Sequence, residues 1–243
     1  MPDSLGDRMK EQYEDRYRIS LPRRTYTVIR VDGKAFHTLT RHMEKPYDKG
    51  FMNAMDVTAL ALCKSIQGTQ FAFTQSDEIS LLLTDFDSIQ TDAWFDGNLQ
   101  KMCSIAAATA SVAFNRCWGV DMAAVFDARV FVIPDRTEVM NYYIWRQQDA
   151  ERNSLQMLAQ HYYSHKELHG KKSPDLHDMI HAKGDNWNNH PEGFRRGRVQ
   201  QYWRECLSHG WGTNGCPPVF TQDRAYLGSL IPDHPGYDMG MEG

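Results

Sequence analysis

Arg30-Val31-Asp32-Gly33-Lys34-Ala35-Phe36-His37 closes one apolar run of this chain, and Thr74-Gln75-Ser76-Asp77-Glu78-Ile79-Ser80 interrupts another. The first run, residues 25–32, is β-branched and aromatic and stops at Gly33, the pattern of a strand bounded by a turn residue. Residues 70–75 and 79–86 read as two further strands, with Ser76-Asp77-Glu78 at their connection. Between the first and second strands, Met52, Met55, Ala59, Leu62 and Ile66 recur at helical spacing, and Gly68 stands where a helix C-cap belongs. Residues 94–117 form a second helix with a stripe of Leu99, Met102, Ala106, Ala110, Ala113 and Cys117, small enough to lie close to a sheet. Residues 125–133 make a fourth strand, stopped by Pro134.

The order β-α-β-β-α-β predicts an α+β, ferredoxin-like unit: a four-stranded antiparallel sheet with two helices on one face. We assign this unit to residues 1–135. Residues 136–243 are expected to form an extension packed on it, mainly helical to about 168 and irregular beyond. Residues 7–18 are polar and charged, with the spacing of an N-terminal helix.

Composition bounds the partners. The 243 residues are 41% hydrophobic and carry a formal net charge of -4, so no overall basic balance announces nucleic acid. Local basic clusters exist, Phe194-Arg195-Arg196-Gly197-Arg198 being the best candidate for phosphate contact. Five cysteines (63, 103, 117, 206 and 216) show no paired spacing, which fits reduced thiols. No run of eighteen apolar residues and no apolar leader is present, so a soluble cytoplasmic protein without a membrane partner is expected. His161, His165 and His169 recur every fourth residue and could line one helix face as metal ligands. Tyr142, Tyr143, Trp145, Tyr162 and Tyr163 suit core or interface packing better than base stacking.

The carboxylates carry the chemistry. In this topology strands one and three are central neighbours, so the end of one meets the start of the other, and Asp32 approaches the Asp77-Glu78 connection. Alternation along a strand favours one acidic neighbour over the other. We take Asp77 as the direct partner of Asp32, with Glu78 supporting it or serving as an alternative ligand. Two nearby carboxylates stay ionised when cations neutralise them, and Mg²⁺ suits such oxygen donors. Two Mg²⁺ ions can clamp the attacking and leaving oxygens of a phosphoryl displacement. Asp-Gly and Asp-Glu are also ordinary turn chemistry, which leaves a plain solvated turn as the alternative.

These motifs, together with Lys45-Pro46-Tyr47-Asp48, Phe126-Asp127-Ala128-Arg129-Val130 and Tyr143-Ile144-Trp145-Arg146-Gln147, resemble the tRNA-histidine guanylyltransferase family over residues 10–200. The resemblance implies a polymerase-palm-type domain that adds nucleotides to the 5′ end of tRNA in the 3′-to-5′ direction. It implies ATP or GTP activation of a 5′ phosphate, followed by attack of the 3′-hydroxyl of an incoming triphosphate such as GTP. It implies two Mg²⁺ ions on Asp32, Asp77 and the carbonyl of Gly33. It places Asp32, Gly33, Lys34, Ala35, Phe36, His37, Ser76 and Asp77 around the nucleotide, with Lys45 at its triphosphate, Asp48 in the same nucleotide-binding segment and Lys101 as a basic position near the site. A homotetramer that grips tRNA is also implied.

One departure stands out. Where the eukaryotic members carry His-Ile-Asn-Asn, this chain has Glu151-Arg152-Asn153-Ser154, retaining Asn153 alone. The pattern is similar to the Thg-like branch, which implies template-dependent repair of 5′-truncated tRNA, with guanylylation of tRNA-histidine as a further activity. Asn153, Arg195, Arg196 and Arg198 are the expected RNA contacts. Two other classes share the sheet: a palm-type nucleotide cyclase, and a non-catalytic RNA-binding module with aromatic bases stacked on an open sheet face.

Overall fold

A computed structural model describes residues 4–119, 123–204 and 209–235. Cys206 lies outside the described residues. The chain opens with α1 (Ser4–Met9), continued helically to Tyr17 with no buried residue, so this segment contributes nothing to the core. Then come β1 (Tyr26–Gly33), α2 (Phe36–Leu39), α3 (Lys49–Ser65), β2 (Thr69–Gln75) and β3 (Glu78–Leu83). They are followed by α4 (Leu99–Trp118), β4 (Phe126–Ile133), α5 (Arg136–Tyr162), α6 (His165–Leu168) and α7 (Ser173–His181). The chain continues with α8 (Glu192–Arg196), β5 (Arg198–Trp203), β6 (Gly210–Asn214) and α9 (Arg224–Leu230).

The β-α-β-β-α-β unit forms as expected, but its sheet is larger. Among the described residues it has six strands in the order β4-β1-β3-β2-β5-β6, each neighbouring pair antiparallel. The two strands contributed after residue 136 extend it beyond β2, in a region that reads as irregular in sequence. The reason is local: Gln200, a polar residue inside β5, is fully buried and bonded to Thr74 at 2.8 Å, which hides the strand's period.

Each face of the sheet meets helices. Ile29, Val31, Ile79 and Leu81 turn toward Met55 and Leu62 of α3 and Met102 and Phe114 of α4. Tyr26, Val28, Phe73 and Leu82 turn the other way, against Val139 and Tyr143 of α5 and against Phe220. Alternation then carries Arg30 and Asp32 of β1 onto the α5 face. That face is therefore covered, not open for stacked bases as the RNA-binding-module alternative requires. The histidine ladder also fails: α5 ends at Tyr162 with an extended Tyr163, so His161, His165 and His169 do not share one helix.

Side-chain caps fix the starts of the two long helices on the first face of the sheet. Asp48 accepts from the Phe51 amide at 2.8 Å and begins α3, and Asn98 accepts from the Lys101 amide at 3.0 Å and begins α4.

Candidate active site

The sheet ends in a row of acids. Asp32 lies opposite Asp127 on β4 and opposite Glu78 on β3, so three carboxylate residues cross adjacent strands on the α5 face. This corrects the alternation argument: Glu78, not Asp77, is the strand partner of Asp32. Asp77 escapes alternation because it is not in a strand. Gln75 pairs with Glu78, so Ser76 and Asp77 form a two-residue turn, and Asp77 accepts the Gly33 amide at 3.1 Å through its main-chain carbonyl. That bond ties the hairpin turn to the end of β1.

Two non-glycine residues here hold left-handed backbone, Ser76 at φ 47° and Ala35 at φ 56°, a conformation that persists where surrounding structure over-determines it. A side chain at Gly33 would run into the Phe36 ring, so the tight exit from β1 requires glycine.

An open cleft of about 430 Å³ lies between the sheet end and α5, lined among others by Asp32, Ser76, Asp77, Glu78, Asp149 and Asn153. The acids differ in what neutralises them. Arg146 spans both oxygens of Glu78 at 2.8 and 2.9 Å, and Arg30 stands 3.9 Å away. Among the described residues, no basic side chain is ion-paired to Asp32 or Asp77; Asp77 has only hydrogen bonds from Ser76 and its own turn. Burial lifts all three carboxyls above the usual range. The Asp127 charge adds to the rise at Asp32, and the Asp32 charge adds to it at Asp77. At Glu78 burial outweighs both arginines.

The donor set fits magnesium. No group of three or more His, Cys, Asp or Glu side chains forms a metal cage among the described residues. Magnesium needs none, because it keeps waters and substrate oxygens and takes one or two protein carboxylates. Asp32 and Asp77 are the pair left without an ion-paired cation, Arg129 and Arg30 easing the charge of Asp32 only from a distance.

Beside the acidic cleft, sharing Gln75, Ser76, Asn153 and Met157 with it, a smaller cavity of about 90 Å³ is walled by Tyr47, Phe51, Lys45 and Asp48. An apolar recess with a few polar groups at its mouth, opening beside a charged cleft, is the form of a site for a base with its phosphates outside.

Not every expected residue arrives. The Phe36 ring is buried against Phe51, Phe114 and Phe126 and serves the core. Lys34 and His37 are exposed. Lys101 sits in the first turn of α4, beside Phe95, whereas it is the other end of that helix that adjoins Ala124 and Val125 near Gly33. A helix of 20 residues spans about 30 Å, so Lys101 does not reach the cleft within this chain. The basic cluster is folded inward. Arg198 is buried on Asp56 at 2.6 Å, Arg196 pairs with Glu192 at 2.6 Å, and Arg195 donates to the His190 carbonyl and lies over Trp187. The Arg146–Asp149 pair, which sequence spacing did not single out for the site, completes the cleft wall.

The Thg1 family model, tRNAHis guanylyltransferase, matches residues 6–134, just over half the chain. This chain belongs to the Thg1 family. A solved bacterial tRNA(His) guanylyltransferase (Thg1)-like protein in complex with ATP superposes with a TM-score of 0.87 at 39% identity, covering 94% of this chain and 99% of that one. Another such structure, in complex with GTP, gives 0.80 at 35% identity over the same shares. A probable tRNA(His) guanylyltransferase of Drosophila melanogaster is 28% identical; the match takes in 72% of this chain and 66%, slightly under two thirds, of that relative. The membership accounts for the six-stranded α+β frame and for the motifs at the sheet end.

Proposed function

We propose that this chain is a nucleotidyltransferase that adds nucleotides to the 5′ end of tRNA in the 3′-to-5′ direction. The observation that carries the reading is the cleft in which Asp32 and Asp77 meet without a basic partner, beside an apolar recess bearing Lys45 and Asp48. The family match and the ATP- and GTP-bound bacterial neighbours support it.

Asp32, Asp77 and the Gly33 carbonyl would hold two Mg²⁺ ions, which supply charge neutralisation at the transferring phosphate when bound. The chain's own residues bind and orient. The recess receives a nucleoside base, and Ser76 and Lys45 stand at its mouth toward the triphosphate. The Arg146–Glu78 pair fixes the turn that presents Asp77. In the reaction, an oxygen of the RNA 5′ phosphate attacks the α-phosphorus of ATP and expels pyrophosphate. The 3′-hydroxyl of GTP or another triphosphate then attacks the activated 5′ phosphate and expels AMP. The exchange of His-Ile-Asn-Asn for Glu151-Arg152-Asn153-Ser154 favours template-directed repair of shortened 5′ ends over strict guanylylation of tRNA-histidine. A homotetramer would let Lys101 of one subunit serve another subunit's cleft.

The test is incubation with Mg²⁺, ATP and 5′-labelled monophosphorylated tRNA, then GTP. The reading expects adenylylated RNA first and extended RNA second. Cyclic nucleotide formed without RNA, or RNA bound without turnover, would replace it with the cyclase or the binding module.

A further inference from the structure

The base recess and the acidic cleft meet at a neck. Both are lined by Gln75, Ser76, Asn153 and Met157, two residues from the β2–β3 hairpin and two from α5. A nucleoside triphosphate with its base in the recess and its phosphates at the acids must pass its sugar through that neck. We infer that Gln75 and Asn153 bind the ribose hydroxyls of the nucleotide there, so that the site selects ribonucleotides. The inference rests on the recess and cleft being the nucleotide site proposed above and adds to it the recognition of the sugar.

Gln75 is buried and unpaired. It is 7% exposed, and among the described residues nothing hydrogen-bonds to its carboxamide. Its strand position across from Glu78, itself across from Asp32, puts it on the α5 face in the row of the acids. The polar groups beside it are taken: both Glu78 oxygens lie on Arg146, and Arg146 also reaches Asp149 at 2.8 Å. Buried polar side chains are nearly always paired, because an unmet one keeps its desolvation cost. A buried carboxamide that borders two joined cavities and lacks a protein partner is left to a ligand. Asn153 completes the neck from α5: its Nδ2 reaches Asp149 only at 3.4 Å, and its Oδ1 accepts no bond among the described residues.

The chemistry of the two side chains selects the sugar. A carboxamide offers both a donor and an acceptor, and a hydroxyl is both as well, so each ribose hydroxyl can give one bond and take another. A phosphate oxygen only accepts, and Lys45 and the acid-bound cations serve it. Tyr47 and Phe51 wall the recess with ring surface, which suits the base. Asn153, expected from sequence to touch RNA, goes to the nucleotide.

The test is calorimetric titration, with Mg²⁺ and without RNA, of ATP against 2′,3′-dideoxy-ATP, which lacks both hydroxyls. Wild-type protein should bind ATP roughly tenfold tighter, since the analogue leaves the buried carboxamide unmet. Gln75→Met keeps the side chain's length and removes its polar atoms; Asn153→Ala trims an exposed side chain. Each should bring the ratio of the two affinities to within about threefold. Each ratio is read within one protein, so a general loss of affinity cancels, and Asn153→Ala decides the matter where Gln75→Met fails to fold. Equal binding of the two nucleotides by the wild type overturns the inference while leaving the nucleotide site standing. A wild-type ratio kept by either folded variant overturns it as well. Failure of the wild type to bind ATP at all overturns both the inference and the proposed site.

Discussion

Arg146 grips both carboxylate oxygens of Glu78, at 2.8 and 2.9 Å, on the strand position directly across from Asp32. This separates the acids at the sheet end into two kinds. Glu78 is neutralised by protein and acts as a strut; Asp32 and Asp77 are left for a cation from outside.

Removing the strut should cost stability. Arg146 is almost wholly buried, and a buried partner taken away leaves an uncompensated charge, worth about 3 kcal/mol. Arg146→Ala is expected to lose that much in urea unfolding. Arg146→Met combined with Glu78→Leu should lose clearly less, because the buried Glu78 charge is removed together with its main partner. Equal losses in the two variants would mean that the pair contributes little beyond packing.

The free acids should act in the opposite sense. Burial and mutual repulsion raise the Asp77 carboxyl in the folded state above its unfolded value, so the folded protein holds its proton more tightly. Metal-free protein should therefore gain stability as pH falls from neutral toward the ordinary carboxylate range and lose it as pH rises. Asp77→Asn should flatten that slope, and added Mg²⁺ should raise the melting temperature of the wild type most at neutral and higher pH. Thermal melts across pH, with and without Mg²⁺, measure both effects. The same variant, and Asp32→Asn, should retain the fold and lose RNA adenylylation.

The cap and the recess share Asp48. One oxygen accepts the Phe51 amide that starts α3, and the residue also lines the base recess. Asp48→Ala should cost about 1 kcal/mol. Asp48→Asn keeps an acceptor, so it should hold stability while changing the relative affinity for ATP and GTP, measured by calorimetric titration. An unchanged ratio would remove Asp48 from the recess's selectivity.

Arg198 should behave as a structural residue. Its guanidinium joins β5 to Asp56 of α3 and is almost fully buried. Arg198→Ala is expected to cost about 3 kcal/mol in unfolding. It should leave the salt dependence of RNA binding unchanged, because a buried guanidinium displaces no counterion from phosphate.

The four strands of the first unit were legible because each apolar run is short, β-branched and closed by a turn residue, as at Gly33 and Pro134. The meeting of Asp32 with the Ser76–Asp77 turn followed from antiparallel order alone. Which acid faces which did not, since a two-residue turn removes Asp77 from the alternation that sequence can count. The strand at Arg198–Trp203 was hidden by a buried Gln200, and the basic cluster misled because counting arginines cannot reveal that Asp56 and Glu192 are waiting for two of them. Lys101 misled for a related reason: a motif fixes a residue on a helix but not which end of that helix meets the site.

A crystal of this protein grown with Mn²⁺ and a nucleoside triphosphate, read by anomalous scattering, tests the central claim most directly. The account predicts metal peaks bridged by the Asp32 and Asp77 carboxylates, with Glu78 still on Arg146. Metal bound to Glu78 instead, or a triphosphate seated with Asp32 and Asp77 turned apart and no ion on either, would contradict it.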